Sequence, residues 1–366
     1  MAKAMHVHWE TEGGMAKRAA NNGTKSAAVD LLALSEYVER FPSKTVLVLG
    51  DFVADAFQFG EITRVSRESP VLILRHRETR IVPGGGANAA NNFVSLGAKV
   101  IPVAAVGEDE AGERLISIFR EKKVDVSGIV RVPGWSTPMK TRFLAGWAHT
   151  VGQQVLRVDY EPTTELNEAI CKKLRQSLFG KLSKVDALAV SDYGFGAARP
   201  EDLRDARAHW KKDIPVTLDS RYRLTDYKRA GVTAATPNEG EMEALHHTVI
   251  GKDLAELQRC GEATRSEMRL QSLLVTRGRD GMALFQPNEA PIYIGVHGSD
   301  QAVDVTGAGD TVLAVYTLAL ATGAAVLEAA HLANIAGGLV VMKRGTATIS
   351  REELSEAIQK AISRKS

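Results

Sequence analysis

Residues 83–106 read PGGGANAANNFVSLGAKVIPVAAV. A glycine turn opens an alanine-rich run at 87–96 that suits a helix. Gly97 closes that run, and the apolar stretch 100–106 has the length and composition of a buried strand. The same unit recurs on both sides. Upstream, TVLVL at 45–49 is a strand closed by Gly50-Asp51. Downstream come helices at 112–122, 166–178, 202–211, 239–245, 254–265, 310–321 and 325–341. Strands fall between them at 187–191, 215–219, 234–236, 272–276 and 283–286. Such alternation specifies an α/β protein with a mostly parallel sheet covered on both faces.

Two stretches break the alternation, at about 56–82 and 137–160. The first is dense in charge, with Arg64, Arg67, Glu68, Arg75, Arg77, Glu78 and Arg80 around a β-like run at 71–74. The second reads as a hairpin, 140–144 with 154–159. Two strand-like inserts in one α/β chain predict a small β-sheet lid built from separated segments. Residues 1–25 lack periodicity and carry Gly13-Gly14 and Asn21-Asn22-Gly23, as in a poorly ordered tail. Over 26–43, Leu31, Leu34, Val38 and Phe41 recur at helical spacing until Pro42, predicting an N-terminal helix outside the main domain, which itself spans 44–360.

The 46 basic and 44 acidic side chains leave a formal charge of +2 over 366 residues. That balance speaks against a dedicated nucleic-acid or membrane-surface binder. No apolar run has signal-peptide or membrane-span length. Cys171 and Cys260 have neither metal-ligand spacing nor the numbers for a disulfide framework, which suits a reducing cytoplasm.

Chemistry concentrates in five segments. DVTGAGD at 304–310 opens a helix. Gly307, Ala308 and Gly309 let backbone N–H groups approach an anion at a positive helix end, and Asp310 in the first turn supplies a carboxylate. Phosphoryl transfer needs both; a plain helix cap needs only the acid. PGGGAN at 83–88 lets backbone approach a ligand beside Asn88, but it lacks the dinucleotide spacing, because Ala89 stands where glycine is required. Asp51 follows a strand at the end where α/β sheets bind ligands; it suits two sugar hydroxyls or a turn. TPNEGE at 236–241 puts Asn238 and Glu241 three apart at a helix start, fit for the water shell of Mg²⁺ or for complementing the helix dipole. TRGRDG at 276–281 covers nucleotide phosphates or forms a hairpin turn.

In this order the segments resemble the ribokinase/PfkB carbohydrate kinases, through PGGGANAAN (83–91) and DVTGAGD (304–310), over roughly residues 44–352. A closer resemblance is to the heptose 7-phosphate kinases. It rests on RVSRESPV (64–71), QQVLRVDYE (153–161), VSDYGFGA (190–197), TPNEGE (236–241), LLVTRGRDGM (273–282) and GTATIS (345–350). The resemblance implies a three-layer α/β/α ribokinase-like fold and ATP-dependent phosphorylation of the C1 hydroxyl of a sugar phosphate. The kinase would be without the second, nucleotidyl-transferring domain of some relatives.

Carried over, Asp310 is the base, and Gly307, Ala308 and Gly309 form the anion hole. Asp51, Gly85, Gly86, Asn88 and Arg221 contact the sugar. Asn238, Glu241, Thr276, Gly278 and Asn334 serve ATP, with Glu241 acting on Mg²⁺ through water. Asp304 and Thr306 face a monovalent cation such as K⁺. The sequence departs from the heptose kinases at Ala54–Phe57, Val82 and Ser220-Arg221-Tyr222, all near the sugar end. Hexose phosphates, pentoses and nucleosides are therefore rival acceptors. A non-catalytic sugar binder is the alternative from another class; the intact DVTGAGD argues against it. A lid edge left open invites pairing, so a homodimer through the lid is expected.

Overall fold

The computed structural model describes residues 6–7, 29–147, 152–209, 214–299 and 301–363. Strand β1 (His6–Val7) pairs antiparallel with β2 (Val29–Asp30). Helix α1 (Leu31–Glu39) follows, capped by Asp30, whose carboxylate accepts the Leu32 N–H at 2.9 Å. Then come β3 (Thr45–Gly50), β4 (Phe52–Val65), β5 (Leu72–Gly85), α2 (Gly86–Ser95), β6 (Lys99–Gly107), α3 (Glu110–Glu121), β7 (Ile129–Val132), β8 (Met139–Gly146) and β9 (Gln153–Tyr160). The remainder is α4 (Glu168–Leu182), β10 (Ala187–Asp192), α5 (Pro200–Ala206), β11 (Val216–Ser220), β12 (Ala234–Ala235), α6 (Glu239–His246), α7 (Leu254–Met268), β13 (Ser272–Thr276), β14 (Met282–Phe285), β15 (Ile292–Ile294), α8 (Ala308–Ala321), α9 (Val326–Val340) and α10 (Arg351–Ser363).

Nine strands form the main sheet in the order β15-β14-β13-β12-β11-β10-β3-β6-β7. All neighbours are parallel except β14, antiparallel to both β13 and β15. Along β3 the side chains alternate between two cores. Val46 and Val48 join one with Leu34, Phe93, Leu115, Val315 and Leu332; Leu47 and Leu49 join the other with Leu174, Leu203, Leu257 and Phe285. The sheet is thus the middle of three layers. Strand order runs outward in opposite directions from the β3–β10 pair, and ligands bind where such a reversal opens a crevice at carboxyl strand ends.

The lid is a separate four-stranded sheet, β5-β4-β8-β9, drawn from the two expected segments. β4 lies antiparallel to β5 and parallel to β8. β4 starts two residues after β3 ends and β5 runs into α2, so the lid grows out from the carboxyl end of β3, an interior strand.

Some boundaries differ from the sequence reading. The first helix begins at Leu31 rather than 26, because Asp30 caps it. The helix expected at 202–211 runs from Pro200 and stops at Ala206, where residues 207–209 form a turn. β7, β15 and α10 were not anticipated. The expected tail at 1–25 lies outside the described residues except for β1. Among the described residues no helix is long and apolar enough to cross a membrane.

Candidate active site

The end of β3 abuts the end of β10 closely enough to require glycine: a Cβ on Gly50 would sit 2.9 Å from the Ser191 carbonyl. Asp51 follows. Its carboxylate is buried and accepts backbone N–H groups from Tyr193 (2.9 Å), Phe195 (3.0 Å) and Ala197 (2.8 Å). The sequence reading gave Asp51 to sugar hydroxyls; its oxygens are committed to the chain instead. Gly85 and Gly86 are likewise explained by packing. A Cβ on Gly86 would meet the Asp51 carbonyl at 2.9 Å, and one on Gly85 (φ 52°) would meet Val53 Cγ2 at 2.9 Å and the Tyr193 ring at 3.2 Å.

Asp310 lies in the first turn of α8, behind Gly307 at φ 78°. Asn88 Nδ2 donates to its Oδ2 at 2.8 Å, and the Tyr193 hydroxyl reaches Oδ1 at 3.4 Å. Burial pushes this carboxyl up to about 7. The Asn88 hydrogen bond opposes the rise, the Asp55 charge adds to it, and Lys140 and Tyr193 oppose it. A carboxylate poised there is matched to accepting a proton near neutrality. Gly307 and Gly309 line the adjoining cleft with Asp310. Ala308 does not belong with them: its N–H donates to the Val305 carbonyl at 3.2 Å.

The cleft encloses about 250 Å³. One wall carries Thr236, Asn238, Glu241 and Thr276, the floor Asp219 and Arg221. Asn238 and Glu241 cap α6 reciprocally: Asn238 Oδ1 accepts the Glu241 N–H and Glu241 Oε2 accepts the Asn238 N–H, each at 2.9 Å. Burial raises the Glu241 carboxyl, and burial together with Glu241 and Asp310 holds Asp219 well above the carboxylate range. Among the described residues no three acidic, His or Cys side chains cluster tightly enough to hold a metal ion unaided. Crowded but separated carboxylates of this kind fit a hydrated divalent cation shared with phosphates.

On the lid side, Asp55 of β4 pairs with Arg142 of β8 at 2.6 Å and accepts from the Thr346 hydroxyl. A Cβ on Gly84 would lie 2.7 Å from the Asp55 carboxyl carbon, so it is Gly84 that makes room for this acid. Lys140, in register with Asp55, holds its ammonium 5.1 Å from the Tyr193 ring centroid. Burial lowers its pKa, and nearby Arg221 lowers it further.

Asp55, Lys140, Arg142, Tyr193 and Asp219 escaped the sequence reading. Two signals were present: Asp55 is the lone acid in an otherwise apolar run after Phe52, and positions 140 and 142 share one face of a strand.

The remaining expected residues stand apart from the cleft lining. Gly278 (φ 54°) sits in a short 3₁₀ turn of the β13–β14 hairpin, closed by the Arg277 N–H on the Gly281 carbonyl at 2.8 Å. Asn334 in α9 donates to the Gly295 carbonyl at 2.8 Å. The Asp304 oxygens accept the Thr306 and Gly345 N–H groups, both at 2.9 Å. Burial of Asp304 is outweighed by those bonds, which hold its carboxyl low. Asp304 therefore ties the 304–310 loop to the loop at 345, and Thr306 takes part through both its N–H and its hydroxyl.

Against known proteins, the family model described as "pfkB family carbohydrate kinase" matches residues 43–353. The bifunctional protein HldE of Haemophilus influenzae strain PittEE is 38% identical over 328 residues, which cover 89% of this chain and 66% of that protein. The chain thus spans just under two thirds of that relative's length. Two solved structures share the fold. Ribokinase of Arabidopsis thaliana, complexed with ribose and ATP, aligns with a TM-score of 0.66 at 19% identity, covering 86% of this chain and 99% of that one. Phosphofructokinase-2 of Escherichia coli, in complex with potassium, aligns with a TM-score of 0.69 at 20% identity, covering 87% and 98%.

Proposed function

The chain belongs to the pfkB family of carbohydrate kinases, and from that premise we propose that it transfers the γ-phosphate of ATP to the C1 hydroxyl of a heptose 7-phosphate. The observation that carries the kinase reading is Asp310: a buried carboxyl near neutrality, oriented by Asn88, in the helix turn that presents Gly307 and Gly309 to the same cleft. Asp310 takes the acceptor hydroxyl's proton as its oxygen attacks phosphorus. The N–H groups of Gly307 and Gly309 stabilise the oxygens of the phosphoryl group in flight. ATP lies along the wall of Asn238, Glu241 and Thr276. Glu241 would hold Mg²⁺ through water, and the ion would supply charge neutralisation for the phosphates. The loop of Asp304 and Thr306 would hold a monovalent cation.

The preference for a phosphorylated acceptor rests on two cations. Arg221 lines the cleft and Lys140 approaches it from the lid, close enough for their charges to repel. An acceptor phosphate relieves that repulsion. The motifs shared with heptose kinases narrow the choice to the seven-carbon sugar; a hexose phosphate is the second reading, since it offers the same anion. Two copies pair through their lids. In support, Leu72 on edge strand β5 and Val155 and Leu156 on edge strand β9 are exposed apolar residues.

The test is ADP release measured with ATP and Mg²⁺ over a panel of heptose 7-phosphate, fructose 6-phosphate, ribose and adenosine. Turnover highest with heptose 7-phosphate is expected. Binding without turnover across the panel would overturn the kinase reading.

A further inference from the structure

The segment VSDYGFGA at 190–197 is folded by two buried acids that take its amides alternately. Asp51 accepts the N–H groups of Tyr193, Phe195 and Ala197, while Asp192 accepts that of Gly194 at 2.9 Å. Gly194 and Gly196 give this loop its left-handed backbone, at φ 85° and 95°. Asp192 is held in turn by Arg223, Ser220 and Tyr227. The loop is thus seated on carboxylates at the ends of β3 and β10.

What this seat delivers is the Tyr193 ring. It packs where Gly85 has no side chain, within 3.2 Å of that glycine's would-be Cβ, and Lys140 covers it from the lid. Its hydroxyl then reaches Asp310. We propose that residues 193–197 are a catalytic element seated on Asp51, in which Tyr193 orients the carboxylate of Asp310 through its hydroxyl and Asp51 is the positioning residue that places Tyr193.

The proposal rests on Asp310 being the base. A hydroxyl donated to a carboxylate favours its charged form, so Tyr193 lowers the pH at which Asp310 can accept a proton. Facing Asp310 are Asn88 from α2, Asp55 from β4, Lys140 from β8 and Asp219 from β11, besides Tyr193. Facing Asp51 are Asp192 from β10 and, beyond it, Arg223 and Tyr227. Burial, then Asp192, raises Asp51 to about 6, against the three amides. The seat therefore loosens as pH falls through about 6, after the base itself has begun to take up its proton near 7.

The experiment is the pH profile of kcat/KM for wild type, Tyr193→Phe, Asp51→Asn and the double variant, with Asp310→Asn alongside. Tyr193→Phe is expected to lose roughly tenfold in kcat and to move the acidic limb upward by about half a unit. Asp51→Asn offers one acceptor and an unwanted donor to three amides. It is expected to move the limb the same way, with nothing further lost in the double variant. A role confined to folding would leave the limb in place. A wild-type limb in Tyr193→Phe, or additive losses in the double variant, would overturn the proposal. Near-normal turnover in Asp310→Asn would instead refute the base itself.

If Asp51→Asn does not fold, hydrogen exchange on wild type answers the same question. Protection of the Tyr193, Phe195 and Ala197 amides is expected to fall together below about pH 6. Protection persisting unchanged to pH 5 would contradict the role of Asp51.

Discussion

Asn88 and Asp310, 222 residues apart, meet side chain to side chain at 2.8 Å, the Asn88 amide donating to the carboxylate. This contact joins the start of α2, where the lid enters the domain, to the start of α8, where the small residues of DVTGAGD stand. The two sequence motifs are the two halves of one site.

The pH dependence follows from Asp310. With its carboxyl raised to about 7 by burial, kcat/KM of the free enzyme should fall with unit slope below about pH 7. Stability moves oppositely. A carboxyl raised on folding contributes fully below its unfolded value near 4, and the contribution is lost as pH rises through 7. Asp310→Asn should therefore melt higher than wild type at pH 8 and show no such gain at pH 4. Thermal melts at both pH values check it; an equal difference at the two would contradict the raised carboxyl.

Lys140→Met removes a cation that burial and Arg221 both disfavour. We expect the KM for a phosphorylated acceptor to rise tenfold or more, the size of a lost charge-assisted contact, and the KM for ATP to change little. Stability should hold or increase. Steady-state kinetics varying each substrate checks this, and an unchanged acceptor KM would detach Lys140 from the acceptor phosphate.

Gly307→Ala places a Cβ 2.5 Å from Asn88 Nδ2 at a backbone φ of 78°. Strain of this kind costs about 1–3 kcal/mol, and the displaced Asn88 releases Asp310. Lower melting temperature together with lower kcat is expected. A variant that is destabilised yet keeps full kcat would show that Asn88 does not orient the base.

The Arg142–Asp55 pair is buried at 2.6 Å. Arg142→Met leaves Asp55 without its cation and should cost about 3–5 kcal/mol in urea unfolding. Adding Asp55→Asn should restore part of that loss. If the double variant is as unstable as the single, the cost lies in packing rather than charge.

The α/β alternation was legible because helices and buried strands leave different periods in the chain, and most core elements from 45 to 341 carry one. β7 and β15 were not legible, being four and three residues long. α10 commits only Leu354 and Ile358 fully to the core, too few to stand out. At the site, Asp310 was legible because its partners in function are its neighbours in sequence. Asp51 and Asp55 were not separable. They lie four apart in one apolar run, and what distinguishes them is remote. The amides that occupy Asp51 come from residues 193–197, and the cation that pairs with Asp55 comes from Arg142. No local pattern records either meeting.

The most direct measurement is kcat of Asp310→Asn against wild type at pH 8, on the acceptor that wild type turns over best. The general-base role predicts a loss of at least ~10²–10⁴-fold with acceptor KM nearly unchanged. Turnover within a few-fold of wild type would contradict it.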